Sequence, residues 1–151
     1  MNSIRRNFQQ VVVEGHQTLK TSSFALDGVR VLIVEDEDDI ASLLTFILED
    51  AGAEVLTVVY ASRALALLEQ YQPDLLLCNI KLPDEDGLSL IRKVRTRSAQ
   101  QANEALPAIA VSSYAREVNS ANVLAAGFQK YILKSTIADE LVSAVAQITK
   151  R

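Results

Sequence analysis

From Val29 onward the chain alternates short, almost wholly apolar runs with longer stretches in which apolar residues return every three or four positions. Runs rich in Val, Ile and Leu suit strands buried on both faces, and the longer periodic stretches suit amphipathic helices. Strands are predicted at Val29–Val34, Glu54–Val59, Leu75–Asn79, Ala108–Val111 and Lys130–Leu133. Helices are predicted at Asp38–Asp50, Ala61–Tyr71, Gly87–Arg97, Val118–Ala126 and Ile137–Ile148. In the first helix Ile40, Leu43, Leu44, Ile47 and Leu48 form the stripe expected to face the sheet, with Asp38 as N-cap and Gly52 as the stop. In the last, Thr136 and Asp139 have capping-box-like spacing, and Leu141, Val142, Val145 and Ile148 form the apolar face.

Five strand–helix units joined by right-handed crossovers predict an α/β fold. It is a single doubly wound (βα)5 domain with a parallel five-stranded sheet of order 2-1-3-4-5. Residues 27–151 are assigned to it, and residues 1–26 to an N-terminal extension or linker. That extension contains the Val11–Val13 run and a lone His16 read as solvated. A flexible tail is the first reading of it, and a docking strand or helix the competing one.

At 151 residues, 49% apolar and 23% charged, the chain suits one folded core. A net charge of -4 with scattered basic residues gives no footprint for nucleic acid. No apolar run approaches the ~18–20 residues of a membrane span, and no secretory core opens the chain, so a cytoplasmic protein is expected. Cys78 sits in an apolar run and is read as a buried, reduced core residue.

In doubly wound sheets, sites form at the carboxyl ends of the strands where the strand order reverses. That rule selects Glu35 and Asp36, Asn79, Ser112 and Ser113, and Lys134. Acids in the run Glu35-Asp36-Glu37-Asp38-Asp39 have two explanations. Glu37, Asp38 and Asp39 are assigned to complementing the helix dipole. Glu35 and Asp36 would converge on one pocket, an oxygen-rich set suited to Mg²⁺.

The segments Val31-Leu32-Ile33-Val34-Glu35-Asp36-Glu37, Pro73 to Gly87, Ala110-Val111-Ser112-Ser113-Tyr114 and Leu133-Lys134 occur in the order of receiver motifs. Over about Asp27 to Lys150 the chain resembles a response-regulator receiver domain of two-component (phosphorelay) signalling. The resemblance implies a metal site from Glu35, Asp36, the Asn79 position and the Lys81 backbone carbonyl. It also implies phosphate contacts from Ser112 and Lys134, with Tyr131 as the reorienting aromatic. Partners would be a histidine kinase or another signalling protein, met through the face of helix four, strand five and helix five beside Tyr114. A homodimer is compatible with this.

Two positions depart from the family pattern. Ser135 follows Lys134 where receivers commonly have proline, and Asn79 stands where they hold the phosphate-accepting aspartate. A neutral amide with a delocalised nitrogen lone pair cannot form the acyl phosphate that a carboxylate forms. The expectation is therefore a pseudo-receiver, not an enzyme, that works through protein–protein contact and binds Mg²⁺ weakly or not at all. Lys134, without its carboxylate partner, is expected to pair with Asp36 or Glu35. A natural loss and an engineered Asp-to-Asn change have the same chemistry. The alternative is a flavin-type binding protein on the same fold, which would need a Gly/Ser/Thr-rich cradle after strand one; that loop is acidic.

Overall fold

The computed structural model describes residues 24–101, 105–113 and 120–149. In chain order the elements are β1 Arg30–Val34, α1 Asp38–Asp50, β2 Glu54–Val58, α2 Ala61–Tyr71, β3 Leu75–Asn79, α3 Gly87–Gln101, β4 Ala108–Ser112, α4 Ser120–Ala126, β5 Lys130–Leu133 and α5 Ile137–Thr149. The five strands pair in parallel in the order β2-β1-β3-β4-β5, as predicted. Registers Val34↔Cys78, Asn79↔Val111 and Ser112↔Leu133 bring the carboxyl ends of β1, β3, β4 and β5 side by side.

Alternate residues of each strand point to opposite faces, and both faces are covered. One core packs Leu32, Val34, Leu76, Cys78, Ala108 and Ala110 beneath α2, α3 and α4. The other packs Val31, Ile33, Leu75, Leu77, Ile109, Val111 and Ile132 beneath α1 and α5. Every residue of β3 and β4 is buried, whereas the edge strands β2 and β5 are partly open. The packing reaches back to Leu26, which is fully buried and donates its N–H to Ala51 O at 2.9 Å.

Two polar clamps tie loops to helices. Asp84, in the loop after β3, accepts the N–H groups of Ala61 and Ser62, each at 3.0 Å, and so caps α2 from outside the helix. Those amides, the Ser62 N–H foremost, lower its carboxyl to about 2. Arg95 of α3 donates from Nε (2.9 Å) and Nη2 (2.7 Å) to Gly127 O, and from Nη1 (2.6 Å) to Leu106 O.

The differences from expectation have local causes. β1 starts one residue late because the Val29 N–H is held by Leu26 O in a turn. β4 runs one residue further, to Ser112, and α3 continues to Gln101, since nothing after Arg97 breaks a helix before Pro107. In α1 the N-cap is Glu37, in extended conformation, and Asp38 is the first helical residue. Leu43 is 39% exposed, because Leu44 and Leu48 centre the buried stripe and Leu43 lies about 100° from Leu44 around the helix. Thr136 belongs to a 3-10 turn, Lys134–Thr136, and its hydroxyl donates to Leu133 O instead of capping α5. Gly52, at φ +105°, follows α1 as predicted. Tyr114, the expected start of the fourth helix and His16 lie outside the described residues.

Candidate functional site

The carboxyl ends of β1, β3, β4 and β5 and the loops that follow them form a cleft of about 200 Å³ lined by Asp36, Glu37, Asn79, Lys81, Ser112, Ser113 and Lys134. Each strand delivers one side chain by register: Glu35 directly after β1, Asn79 ending β3, Ser112 ending β4 and Lys134 directly after β5. Glu35 (2% exposed), Asn79 (6%) and Ser112 (2%) are the buried polar residues among those described, while Asp36 is exposed. A hydrophobic sheet that buries polar groups at one end has to partner them there.

Asn79 lies at the centre of that network. Its Nδ2 donates to Glu35 Oε2 at 3.0 Å and to Asp36 Oδ1 at 3.1 Å, and its Oδ1 accepts the Lys81 N–H at 3.4 Å. Glu35 Oε2 also accepts the Glu37 N–H at 3.0 Å and meets Lys134 Nζ at 3.5 Å. Lys134 makes a second, closer ion pair with Glu37 Oε1. Burial pushes the Glu35 carboxyl above its usual range, opposed by the Glu37 amide and the Lys134 ammonium. Glu35 Oε1 is buried and accepts no hydrogen bond among the described residues. Beneath the site, the fully buried Cys78 thiol donates to Asn79 O at 3.2 Å, and burial raises its pKa strongly. Gly87 lies beside that thiol: a Cβ there would come within 2.5 Å of Asn79 O and 3.2 Å of Cys78 Sγ, and its N–H donates to Ile80 O at 2.6 Å.

The expected residues therefore converge, with three qualifications. Lys134 pairs with Glu35, one of its two expected partners, but its other partner is Glu37, which had been assigned to the helix dipole alone. As the N-cap, Glu37 has its side chain outside the helix, and a glutamate is long enough to cross to the loop after β5. Acids at a helix N-terminus serve the dipole and a neighbouring cation equally well, so sequence position does not separate the two roles. Lys81 meets Asn79 through its N–H. Tyr131 is half-buried and packs with the core on the α2–α4 side, away from the residues that line the cleft.

This geometry does not fit a Mg²⁺ ion. The amide of Asn79 turns its two N–H groups toward the acids where a hard cation needs an oxygen, and Glu35 Oε2 already faces three donors. The amide does by hydrogen bonding what a cation does by charge, holding two carboxylates together. The orientation follows from the hydrogen-bond partners: with Oδ1 turned inward, three acceptors would converge without a donor.

The comparisons agree with this architecture. The family model for the response regulator receiver domain matches residues 31–146. An uncharacterized 14.6 kDa protein from the sodA1 3' region of Leptolyngbya boryana is 41% identical over 122 residues, covering 81% of this chain and 91% of that protein. The phosphate regulon transcriptional regulatory protein PhoB of Rhizobium meliloti is 32% identical over 81% of this chain and 52% of its own, so this chain spans about half of that regulator. Among solved structures, a putative response regulator from Chloroflexus aurantiacus superposes with a TM-score of 0.72 at 31% identity, over 82% of this chain and 98% of that one.

Proposed function

This chain belongs to the response regulator receiver domain family, and from that premise we propose that it is a pseudo-receiver, signalling by protein–protein contact without accepting a phosphoryl group. Receiver domains are signalling modules of two-component systems, and this one has the family's sheet order and its acidic cleft. The observation that carries the finer reading is the Asn79 amide, which donates to Glu35 and Asp36 from the phosphoacceptor position.

Phosphoryl transfer needs an in-line nucleophile, counter-charge at the transferred group and a cation for charge that develops in the transition state. Lys134 and Ser112 stand where they would supply a charge and a hydrogen bond. Asn79 supplies no nucleophile, because its nitrogen lone pair is delocalised and its N–H groups are engaged as donors. Mg²⁺ binds weakly or not at all on this reading, since Glu35, Asp36 and Asn79 offer it two carboxylates separated by an amide donor. The two ion pairs of Lys134 hold the cleft in one arrangement. Output runs through the face of α4, β5 and α5, on which Tyr131 lies, toward a histidine kinase or another signalling protein.

Incubation with acetyl phosphate and Mg²⁺, read by intact mass, tests this directly. The chain as it stands is expected to gain nothing, and Asn79→Asp to gain one phosphoryl group. Phosphorylation of the unchanged chain would overturn the reading, and failure of both would point to Ser135 or Glu37 as a second block.

A further inference from the structure

Helix α3 carries four of the chain's 15 basic residues, Arg92, Lys93, Arg95 and Arg97, and none of its 19 acidic ones. Arg95 is engaged inside the fold by Gly127 and Leu106. The other three line a groove of about 350 Å³ between α2 and α3, together with Leu65, Thr96 and Gln100. Every charged group in that lining is a cation. The groove shares no residue with the cleft at the strand ends, so nothing about it depends on Asn79.

The helix sets the spacing of these groups. Arg92, Thr96 and Gln100 are four residues apart and stack along one line of α3, about 12 Å from first to last, with Lys93 and Arg97 on the adjoining line. Arg97 Nη1 donates to Leu65 O at 2.7 Å, which ties its guanidinium to α2 across the groove. Arg92 is exposed, and its guanidinium makes no hydrogen bond or ion pair among the described residues. Lys93, with a side chain 52% exposed, already holds one carboxylate, Glu85 Oε1 at 2.7 Å.

We infer that this groove docks a short acidic segment of a partner protein, a few carboxylates spaced along about 12 Å on the line from Arg92 to Gln100 with an apolar side chain over Leu65. Acids at both ends of the groove decide against a nucleic acid. Glu85 stands on Lys93, and Glu69 accepts Gln101 Nε2 at 3.3 Å. A phosphate backbone would have to carry its charge past both, whereas a peptide places its carboxylates between them. Outside α3 the chain carries -8, its net -4 less the four cations of the helix, so a long polyanion meets repulsion wherever it leaves the groove.

Titration of the isotope-labelled full chain with a capped hexaglutamate peptide, read residue by residue in amide NMR spectra at low and at moderate salt, tests the proposal. Shifts are expected at Leu65 and across Arg92–Gln100, and the binding should weaken as salt rises. Arg92→Glu should bind the peptide about tenfold more weakly and Arg92→Lys about as well as the parent chain, with the strand resonances of both variants in place because the residue is exposed. Shifts confined to other basic residues such as Lys130 or Lys134 would overturn the proposal, as would binding unchanged by Arg92→Glu. A single-stranded DNA heptamer of the same charge should bind more weakly than the peptide, and equal or tighter binding of it would also overturn the proposal. So would shifts of the groove residues on raising the concentration of the chain alone, which would assign the groove to a second copy.

Discussion

Arg95 and Lys134 are both partly enclosed cations that fasten loops at a sheet edge, yet their surroundings differ in kind. Arg95 is satisfied by neutral acceptors, the carbonyls of Gly127 and Leu106 and the side chain of Gln129. Lys134 is satisfied by two carboxylates, one of which, Glu35, is buried, has a raised pKa and keeps an oxygen without a hydrogen bond among the described residues. A cation ringed by carbonyls is structural at any pH. A cation ringed by acids belongs to a cleft whose charge balance can change. The first arrangement builds a domain, and the second builds a site.

The largest effect should come from Arg95→Ala. Its hydrogen bonds disappear together and leave carbonyls in part-buried places, costing about 3 kcal/mol in urea unfolding. That cost should be the same at pH 5 and pH 8, since Arg95 stays charged across this range. Lys134→Met should cost less, about 1–2 kcal/mol at neutral pH, and its cost should depend on pH. Because the folded-state pKa of Glu35 is raised, its ionisation opposes folding, and stability falls as pH rises through that value; Lys134 offsets part of this. The penalty for removing Lys134 should therefore shrink as Glu35 takes up its proton at acid pH and reach its full size near neutrality. A pH-independent penalty would place Lys134 with Arg95. Smallest is Asp84→Ala, which removes the external cap of α2. Its carboxyl is lowered in the folded chain, so its contribution is present above the usual aspartate range and lost as pH falls toward 2. A slight fall in Tm and faster exchange confined to the first turn of α2 are expected.

Arg95 and Lys134 also mark how far the sequence could be read. The strand order and the convergence of Glu35, Asp36, Asn79, Ser112 and Lys134 were legible because apolar runs and the carboxyl-end rule depend only on residue type and order. The partners of Arg95 were not, because backbone carbonyls carry no side-chain signature. The same is true of Asp84, which caps a helix that begins 23 residues earlier. The sheet-facing stripe does not include Leu43, since the five residues assigned to it between Ile40 and Leu48 span a wider arc than the sheet covers. Glu37 was passed over because one acid at a helix start has two sufficient explanations, and only the reach to Lys134 selects between them.

The tight seat of Gly87 against Asn79 has a mechanical meaning. With the Asn79 carbonyl where a side chain at position 87 would have to be, and the Gly87 amide bonded to the next carbonyl along, the end of β3 and the first turn of α3 have no slack between them. Any side chain larger than hydrogen at position 87 would have to displace the end of β3, and with it the residue whose amide joins Glu35 to Asp36, so the shape of the cleft depends on a glycine that does not line it.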